Sequence, residues 1–425
     1  MSSFIEQAAE YSADGVAWLQ PFRQHARHEW LAQTFPTRKT ERWKYTNLRS
    51  LDNDQFLQAL PYEPGDYAAC FNDSAIEGLG SYRLPIVNGQ LSNSFDESTA
   101  PEGVSVVRFS DANHDQQQLI EDAFESQPDA KKHLFTALNA ICFTDGLLIH
   151  VAANVQVEQA IELCFINQAK EQRTGSVHSR VLVVLEASAQ AKIIEHYPHF
   201  ESSVRTFNNA MLQLVVGANA RLDHYRLQLQ RADNIHVAGV HAELKKNALL
   251  QAFNFIIGGK INRLDYEVKV NGEGSHAEIN GIYLPVNDEH TDIHTDMEHL
   301  TPRCTSNEVF RGIIGDNAKA VFNGRIHIVK DAQKTNAQLS NKNLLTSDTA
   351  EVNTKPELEI YANDVLCAHG ATVAQLDKEL LYYMCSRGID RKSAEMMLSY
   401  GFVNELILDI RINAIAEYLR PMVQR

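Results

Sequence analysis

The sequence predicts a mainly β protein, a stacked β-solenoid set between a helical N-terminal region and a helical tail. Three observations carry this reading. After Gly146, apolar and polar residues alternate in one strand-length run after another, with almost no helical spacing until Gln375. Within that run a turn of small or polar residues, an alanine and an alternating strand recur. The copies are Gly217-Ala-Asn-Ala-Arg-Leu-Asp-His-Tyr, Lys246-Asn-Ala-Leu-Leu-Gln-Ala-Phe, Gly274-Ser-His-Ala-Glu-Ile-Asn-Gly, Gly315-Asp-Asn-Ala-Lys-Ala-Val-Phe and Ser347-Asp-Thr-Ala-Glu-Val-Asn. Several stand about 28 to 30 residues apart, a spacing that suits one coil of a solenoid. The spacing slips between His276 and Asn317, which reads as an irregular segment. A β-sandwich with regular hairpins would not ordinarily need so many alike turns. A solenoid also exposes open ends, and the two helical regions are the expected caps.

Taken in order, residues up to about Leu60 are spaced for amphipathic helices, with Pro21 and Pro36 as punctuation. Inside them Thr40-Glu-Arg-Trp-Lys-Tyr-Thr-Asn-Leu48 interleaves basic and aromatic residues. It reads either as a recognition patch or as packing, and packing is the expectation. In that case Trp43 and Tyr45 fill a small core while Arg42 and Lys44 point to solvent. From Pro61 to about Asp115 the chain is turn-rich, with strands at Leu84–Val87 and Val104–Phe109. Ile120–Cys142 reads as helix broken at Pro128. In the solenoid, Leu182, Val184, Ile193, Leu214, Val216, Phe253, Phe255 and Ile328 are expected to face inward.

The junction with the tail runs from Pro356 to Arg391. Leu358, Ile360 and Ala362 alternate as on a strand, and Asn363-Asp364 marks a turn. A short strand follows from Val365 and is expected to break at Gly370. It carries Cys367 and His369 on one face, with Cβ atoms ~7 Å apart by the strand rise. Helical spacing begins near Gln375. Leu376–Cys385 and Arg391–Tyr418 are the predicted helices, the second interrupted at Gly401 and N-capped by Asp390. The resulting division is 1–140 for the N-terminal helical and α/β region, 141–371 for the solenoid and 372–425 for the helical tail.

Composition narrows the function classes. Among 425 residues, 44% are hydrophobic and 22% charged, as in an ordinary folded soluble chain. A net charge of −15 argues against a phosphate-tracking nucleic-acid binder. No apolar run approaches the ~20 residues of a membrane span. The N-terminal Met1-Ser-Ser-Phe-Ile-Glu stretch lacks the apolar core of a secretory signal. Six cysteines (Cys70, Cys142, Cys164, Cys304, Cys367, Cys385) are scattered without a C-x-x-C pair, which fits reduced thiols. The expected location is the cytoplasm.

Familiar catalytic motifs are missing. Gly258-Gly259-Lys260 lacks the upstream glycine and the hydroxyl residue of a phosphate loop, and no G-x-S-x-G or G-x-G-x-x-G occurs. The densest ligand-like cluster is His290-Thr-Asp-Ile-His294-Thr-Asp-Met-Glu-His299. On a strand His290, Asp292 and His294 share one face and His299 takes the other. Such residues suit zinc or non-haem iron, but a solvated strand is the expected reading. Cys367 and His369 suit iron or copper, yet two ligands cannot close a site, so a partner chain would supply the rest. On composition alone they read as a buried thiol and a satisfied histidine.

Several strings resemble a known family. Thr40-Glu-Arg-Trp-Lys-Tyr-Thr, Leu339-Ser-Asn-Lys-Asn-Leu-Leu, Pro356-Glu-Leu-Glu-Ile, Asp364-Val-Leu-Cys-Ala-His-Gly-Ala-Thr and Ser386-Arg-Gly-Ile resemble the SufB/SufD family of iron–sulfur cluster assembly proteins. Length, the N-terminal motif and the lack of clustered cysteines resemble its SufD branch more than its SufB branch. The resemblance implies a right-handed parallel β-helix between helical domains. It also implies a non-catalytic subunit that pairs with SufB through the β-helix and binds the ATPase SufC through the C-terminal helices. The complex would hold two SufC copies, and ATP hydrolysis would belong to SufC. His369 matches the family histidine facing a SufB cysteine where a nascent cluster would form, and Cys367 matches its neighbour. Ser386, Arg387, Gly388 and Ile389 become the candidate SufC contact. An iron–sulfur cluster and reduced flavin would belong to the complex and not to this chain alone, which would form a homodimer in isolation. No nucleic acid or membrane partner is implied. The rival readings are a β-solenoid carbohydrate-active enzyme and a homomeric structural scaffold.

Overall fold

The computed structural model describes residues 4–10, 16–49, 51, 60, 67–93, 95–127, 132–168, 174–200, 205–230 and 232–424. The Tyr82–Val87 strand opens a ten-stranded sheet, and the Val104–Arg108 strand edges a nine-stranded one. From Leu147 onward successive strands go alternately to the two sheets. From Gly175 onward each therefore pairs, parallel and in register, with the strand two before it. Leu249 lies beside His276 and His276 beside Thr305, offsets of 27 and 29 residues. This is a parallel β-solenoid, as the recurring turns predict.

No irregular segment lies between His276 and Asn317; the apparent slip comes from two different corners. At the first corner Ser188, Asn219, Asn247, Gly274, Arg303 and Lys334 all take positive φ. Each is followed by a small, fully buried residue: Ala189, Ala220, Ala248, Ser275, Cys304 and Thr335. Cys304 is thus one member of a column of small side chains where the coil turns tightly. Gly315-Asp-Asn-Ala318 forms the opposite corner, where Asn287 and Asp316 carry the positive φ. Asparagine recurs at these sites because its short amide tolerates the left-handed region better than most side chains.

The interior holds one continuous apolar column, with Ile193, Leu214, Val216 and Ile328 among its members. Leu182 and Val184 do not join it; they lie on the outer face, packed with Leu19, Ile120 and Phe124. Phe253 and Phe255 are also outward, under the C-terminal helices. Both faces of these strands are covered, so alternation alone could not say which apolar set is interior.

The helices cover sheet faces instead of capping ends. α1 (Phe4–Glu10), α2 (Gln20–Leu31), α3 (Ala68–Asp73), α4 (His114–Glu125) and α5 (Leu134–Cys142) precede the long strand run. Residues of α1, α2 and α5 pack on Phe207, Met211, Ile235 and Val237 of the nine-stranded sheet. α4 opens with a capping box between Asn113 and Gln116. The break expected at Pro128 and the helix expected over 52–59 lie outside the described residues. After the strands come α6 (Lys378–Ser386), α7 (Arg391–Leu408) and α8 (Asn413–Val423). Val403, Leu406, Ile407, Ile415 and Leu419 of α7 and α8 cover the ten-stranded sheet.

α7 runs unbroken through Gly401, and the interruption falls at 409–412 instead. Asp390 caps α7 as expected, accepting from the Ser393 backbone at 3.0 Å. α6 starts at Lys378, later than predicted, because the Asp377 carboxylate caps it. The first end of the solenoid is closed by antiparallel pairing, of Gln90–Leu91 with Ile86–Val87 and of Val104–Arg108 with Leu147–Val151. At the other end Glu351–Ile360 and Leu366–Gln375 are the last strands of their sheets.

Phe310 tests how tightly the interior is filled. Its ring is fully buried 5.0 Å from Phe322, in the space that the absent side chain of Gly281 leaves. Phe310→Ala is expected to lower unfolding stability by about 3–5 kcal/mol in denaturant titration, without loss of the strand signal in circular dichroism.

Candidate functional site

The open end brings Cys367 and His369 to the rim of the interior. The Leu366–Gln375 strand does not break at Gly370; it continues through it, pairing Gly370 with Ser340. Register places Cys367 beside Ala337 and His369 beside Leu339. Ala337 and Leu339 belong to the interior column, so Cys367 and His369 face the same side, over the mouth. His369 is exposed and Cys367 half-buried. Burial pushes the Cys367 thiol up, with a backbone hydrogen bond from Ala337 working against it. The two therefore differ in reach: the imidazole is open to an incoming group, and the thiol leans into the packing.

Behind the mouth the interior is polar. Asn341 donates to the Tyr283 hydroxyl at 2.9 Å, Tyr283 donates to Asn343, and Asn343 donates to Asn341 Oδ1 at 2.7 Å. Thr354, from the last strand of the other sheet, also donates to Asn341 Oδ1 at 2.9 Å. One rung further in, Glu308 is register partner of Leu339, in the same column as His369. Burial pushes its carboxyl up to about 8, and the nearby Thr295 hydroxyl offsets this only in part.

The His290–His299 strand is not solvated. His290 is half-buried, while Asp292, His294 and His299 are buried. His299 takes the opposite face, as its spacing predicts, and meets Ser306 at 2.9 Å inside the solenoid. On the outer face Arg263 donates to Asp292 at 2.6 Å and lies 2.9 Å from His294 Nε2. Thr46 Oγ1 donates to Asp292 and stands 2.8 Å from His290 Nε2. Burial works to raise the Asp292 carboxyl, but the Arg263 guanidinium and His294 hold it well below the usual carboxylate range. A permanent cation, Arg263, occupies the centre that a metal would need.

This strand is where the Thr40–Leu48 stretch docks. Arg263 lies 4.6 Å from the Trp43 ring centroid, and Arg42 pairs with Asp265 at 2.9 Å. Trp43 joins the apolar cluster with Trp30 and Phe135 as expected. Tyr45 does not; it is exposed, with Lys44 5.2 Å over its ring. Arg42 does not point free into solvent either. Two conspicuous motifs, 244 residues apart at Thr46 and His290, turn out to be halves of one buried contact.

The Ser386–Ile389 segment joins α6 to α7, with Gly388 at φ 91°. Ser386, Arg387 and Gly388 are exposed and Ile389 half-buried. A cavity of about 610 Å³ between α7, α8 and the corner turns is lined by Met396, Met422, Leu284, His199 and Lys392. None of Cys367, His369, His290, Asp292, His294, His299 or the Ser386–Ile389 segment lines it.

Two family models divide the chain between them. The SufBD protein N-terminal region matches residues 1–163. The model described as "SUF system FeS cluster assembly, SufBD core domain" matches residues 165–402. The iron–sulfur cluster assembly protein SufD of Escherichia coli is 33% identical over 94% of this chain and 91% of its own length. The chain belongs to the SufBD family of iron–sulfur cluster assembly proteins.

Other relatives agree. A SufBD family protein of Synechocystis is 29% identical over 91% of this chain and 86% of its own length. The SufD of Bacillus subtilis is 22% identical across 100% of this chain and 96% of its own. No described helix is long and apolar enough to cross a membrane. In this SufBD fold the core-domain match takes in the long strands, the mouth, α6 and most of α7.

Glu308 was not singled out by sequence, because one acidic residue in an alternating strand carries no mark of which face it takes. Its placement gives a pH dependence. Unfolded, the carboxyl ionises near 4.5; folded, it keeps its proton to about 8. The folded state binds the extra proton between those values, so its stabilising contribution is full below 4.5 and is lost as pH rises to 8. Glu308→Gln is expected to flatten that slope. Measured by denaturant unfolding at pH 8.5, the variant should exceed the parent by roughly 4 kcal/mol.

Proposed function

We propose that this chain is a non-catalytic, SufD-type subunit of an iron–sulfur assembly complex, pairing end to end with SufB through the open mouth of its solenoid. One observation carries this reading. Among the described residues the last strand of each sheet leaves a backbone edge unpaired, with Leu366 72% and Tyr361 62% exposed and Ile360 and Val373 also open to solvent. Such an edge is a template for a further strand, and a partner with a matching end would continue both sheets.

In this reading His369 contributes an imidazole across the interface to iron or to the nascent cluster, which is cargo of the complex. Cys367 lies two residues away and acts mainly in packing. Sharing ligands between two chains makes cluster formation depend on assembly. Any change in subunit contact then changes the coordination.

A homodimer through the same mouth is the competing occupant, and co-purification decides between them. The tagged chain should bring down SufB and SufC, with iron, sulfide and flavin scored in the product; recovery of the chain paired only with itself rejects the reading. His369→Ala should still assemble with SufB and SufC but build clusters at least tenfold more slowly in cells that depend on this pathway. Wild-type rates from an assembled variant would remove the ligand role.

SufC would dock on the α6–α7 junction, where exposed Arg387 stands beside half-buried Ile389 and the Leu380, Tyr382 and Tyr383 side chains of α6 remain open to solvent. Replacing Arg387 and Ile389 together with alanine should release SufC while SufB stays bound in pull-down. Undiminished SufC recovery would place its contact elsewhere.

A further inference from the structure

A second group of soft and hard donors lies far along the stack from the mouth. Glu162 and Cys164 stand two residues apart on the Ile161–Ile166 strand, and Cys164 is the register partner of His196 on the neighbouring strand. Ile161, Leu163 and Ile193 fill the interior column, so Glu162, Cys164 and His196 share the outer face of the ten-stranded sheet. All three are fully buried. One donor atom from each, a carboxylate oxygen, a sulfur and an imidazole nitrogen, falls within 4.8 Å of the others.

The remaining atoms of these side chains are held from outside the cluster. Glu162 Oε1 faces His196 Nδ1 at 2.9 Å, while Glu162 Oε2 accepts from Ser81 Oγ at 2.5 Å and Arg83 Nε at 3.2 Å. His196 Nε2 meets the Tyr418 hydroxyl of α8 at 3.3 Å. Ser74 Oγ stands 3.2 Å from Cys164 Sγ, donates to the Phe71 carbonyl at 2.9 Å and accepts from Arg83 Nη2 at 2.7 Å. That Nη2 lies 3.8 Å from the same sulfur. This is the pattern of ligands oriented by outer partners: one oxygen and one ring nitrogen converge inward while their twins are tied down.

We propose that Glu162, Cys164 and His196 form a structural site for a borderline divalent cation of the zinc(II) or iron(II) class, with the Ser74 hydroxyl in reach as fourth ligand. A thiolate, an imidazole and a carboxylate on two adjacent strands match the donor preferences of such ions. On loading, the ion bonds to Sγ, Nδ1 and Oε1. The Cys164 thiol releases its proton to solvent. The His196 ring proton leaves Nδ1 and is carried on Nε2, where the Tyr418 oxygen accepts it. The cluster gains two charges from the ion and loses one with the proton, and Arg83 stays on Oε2. The site joins three parts of the chain: Ser74, Ser81 and Arg83 from the N-terminal region, two solenoid strands, and α8 through Tyr418. An ion there would clamp both helical regions to the first coils, independently of anything bound at the mouth.

The test uses the full-length, metal-stripped chain titrated with cobalt(II) alone. One equivalent should bind and produce a thiolate-to-cobalt charge-transfer band in the near ultraviolet, with the visible bands of a four-coordinate ion. The Cys367→Ser/His369→Ala double variant should keep those bands, which separates this site from the mouth. Cys164→Ser should lose the charge-transfer band, and Tyr418→Phe, which leaves all first ligands in place, should weaken binding about tenfold. A parent chain that shows no such band overturns the proposal, whether or not the variants fold. So does a band that survives Cys164→Ser or disappears in the mouth variant.

Discussion

The parallel ladder governs this molecule. Each coil satisfies its backbone N–H and C=O groups on the coils before and after it, so no coil is complete alone and the stack must finish somewhere. At the first end short antiparallel strands close the sheets. At the second, among the described residues, strand Leu366–Gln375 has a partner on one side only, and so has Glu351–Ile360. Unmet backbone groups, exposed apolar side chains and the rim of the interior therefore coincide at one place. The partner reading and the placing of His369 both follow from that unfinished edge.

The helical regions do different work from that of plugs. They lie on the two outer faces, which is why strand after strand is apolar on both sides. Beneath the N-terminal region the contact is charged as well as apolar. Arg263 sits among Asp265, Asp292, His294 and Trp43, with Thr46 on the far side of Asp292. Taking such groups out of water costs nearly as much as their attraction returns, so the network contributes little net stability beyond the apolar packing around it. What it supplies is register, since a shift of one coil would take Thr46 away from Asp292 and Arg42 away from Asp265. Lys355 pairs with Glu41 at 2.8 Å, carrying the same contact out to the last strand of the nine-stranded sheet. The N-terminal motif thus reaches from the middle of the stack to the mouth.

Inside the mouth, polar groups are paired with one another instead of with solvent. The Tyr283, Asn341, Asn343 and Thr354 cluster forms a hydrogen-bonded floor that holds the final coils in one arrangement. Glu308 behind it is held neutral by burial, which keeps negative charge away from the column leading to His369. The imidazole at the rim is exposed to solvent, and Cys367 contributes packing against the interior.

The sequence by itself determined the class of fold, because strand alternation and the asparagine- and glycine-bearing turns are local consequences of backbone sterics. It also determined the Asp390 cap and the shared face of Cys367 and His369, both set by spacing along one element. The family strings could be read directly, and the family matches over residues 1–163 and 165–402 agree with them. Tertiary structure decided the rest. Two corners with similar turns merged into one apparent repeat, since turn chemistry does not record which edge of a coil it occupies. Phe253 and Leu182 proved outward, because an apolar residue satisfies alternation equally well inside the solenoid or under a helix. His290, Asp292 and His294 looked solvated until Thr46 and Arg263 were brought over them from distant parts of the chain. Glu162, Cys164 and His196 carried no sequence mark, since strands adjacent in space stand about thirty residues apart and only their register makes the three side chains neighbours.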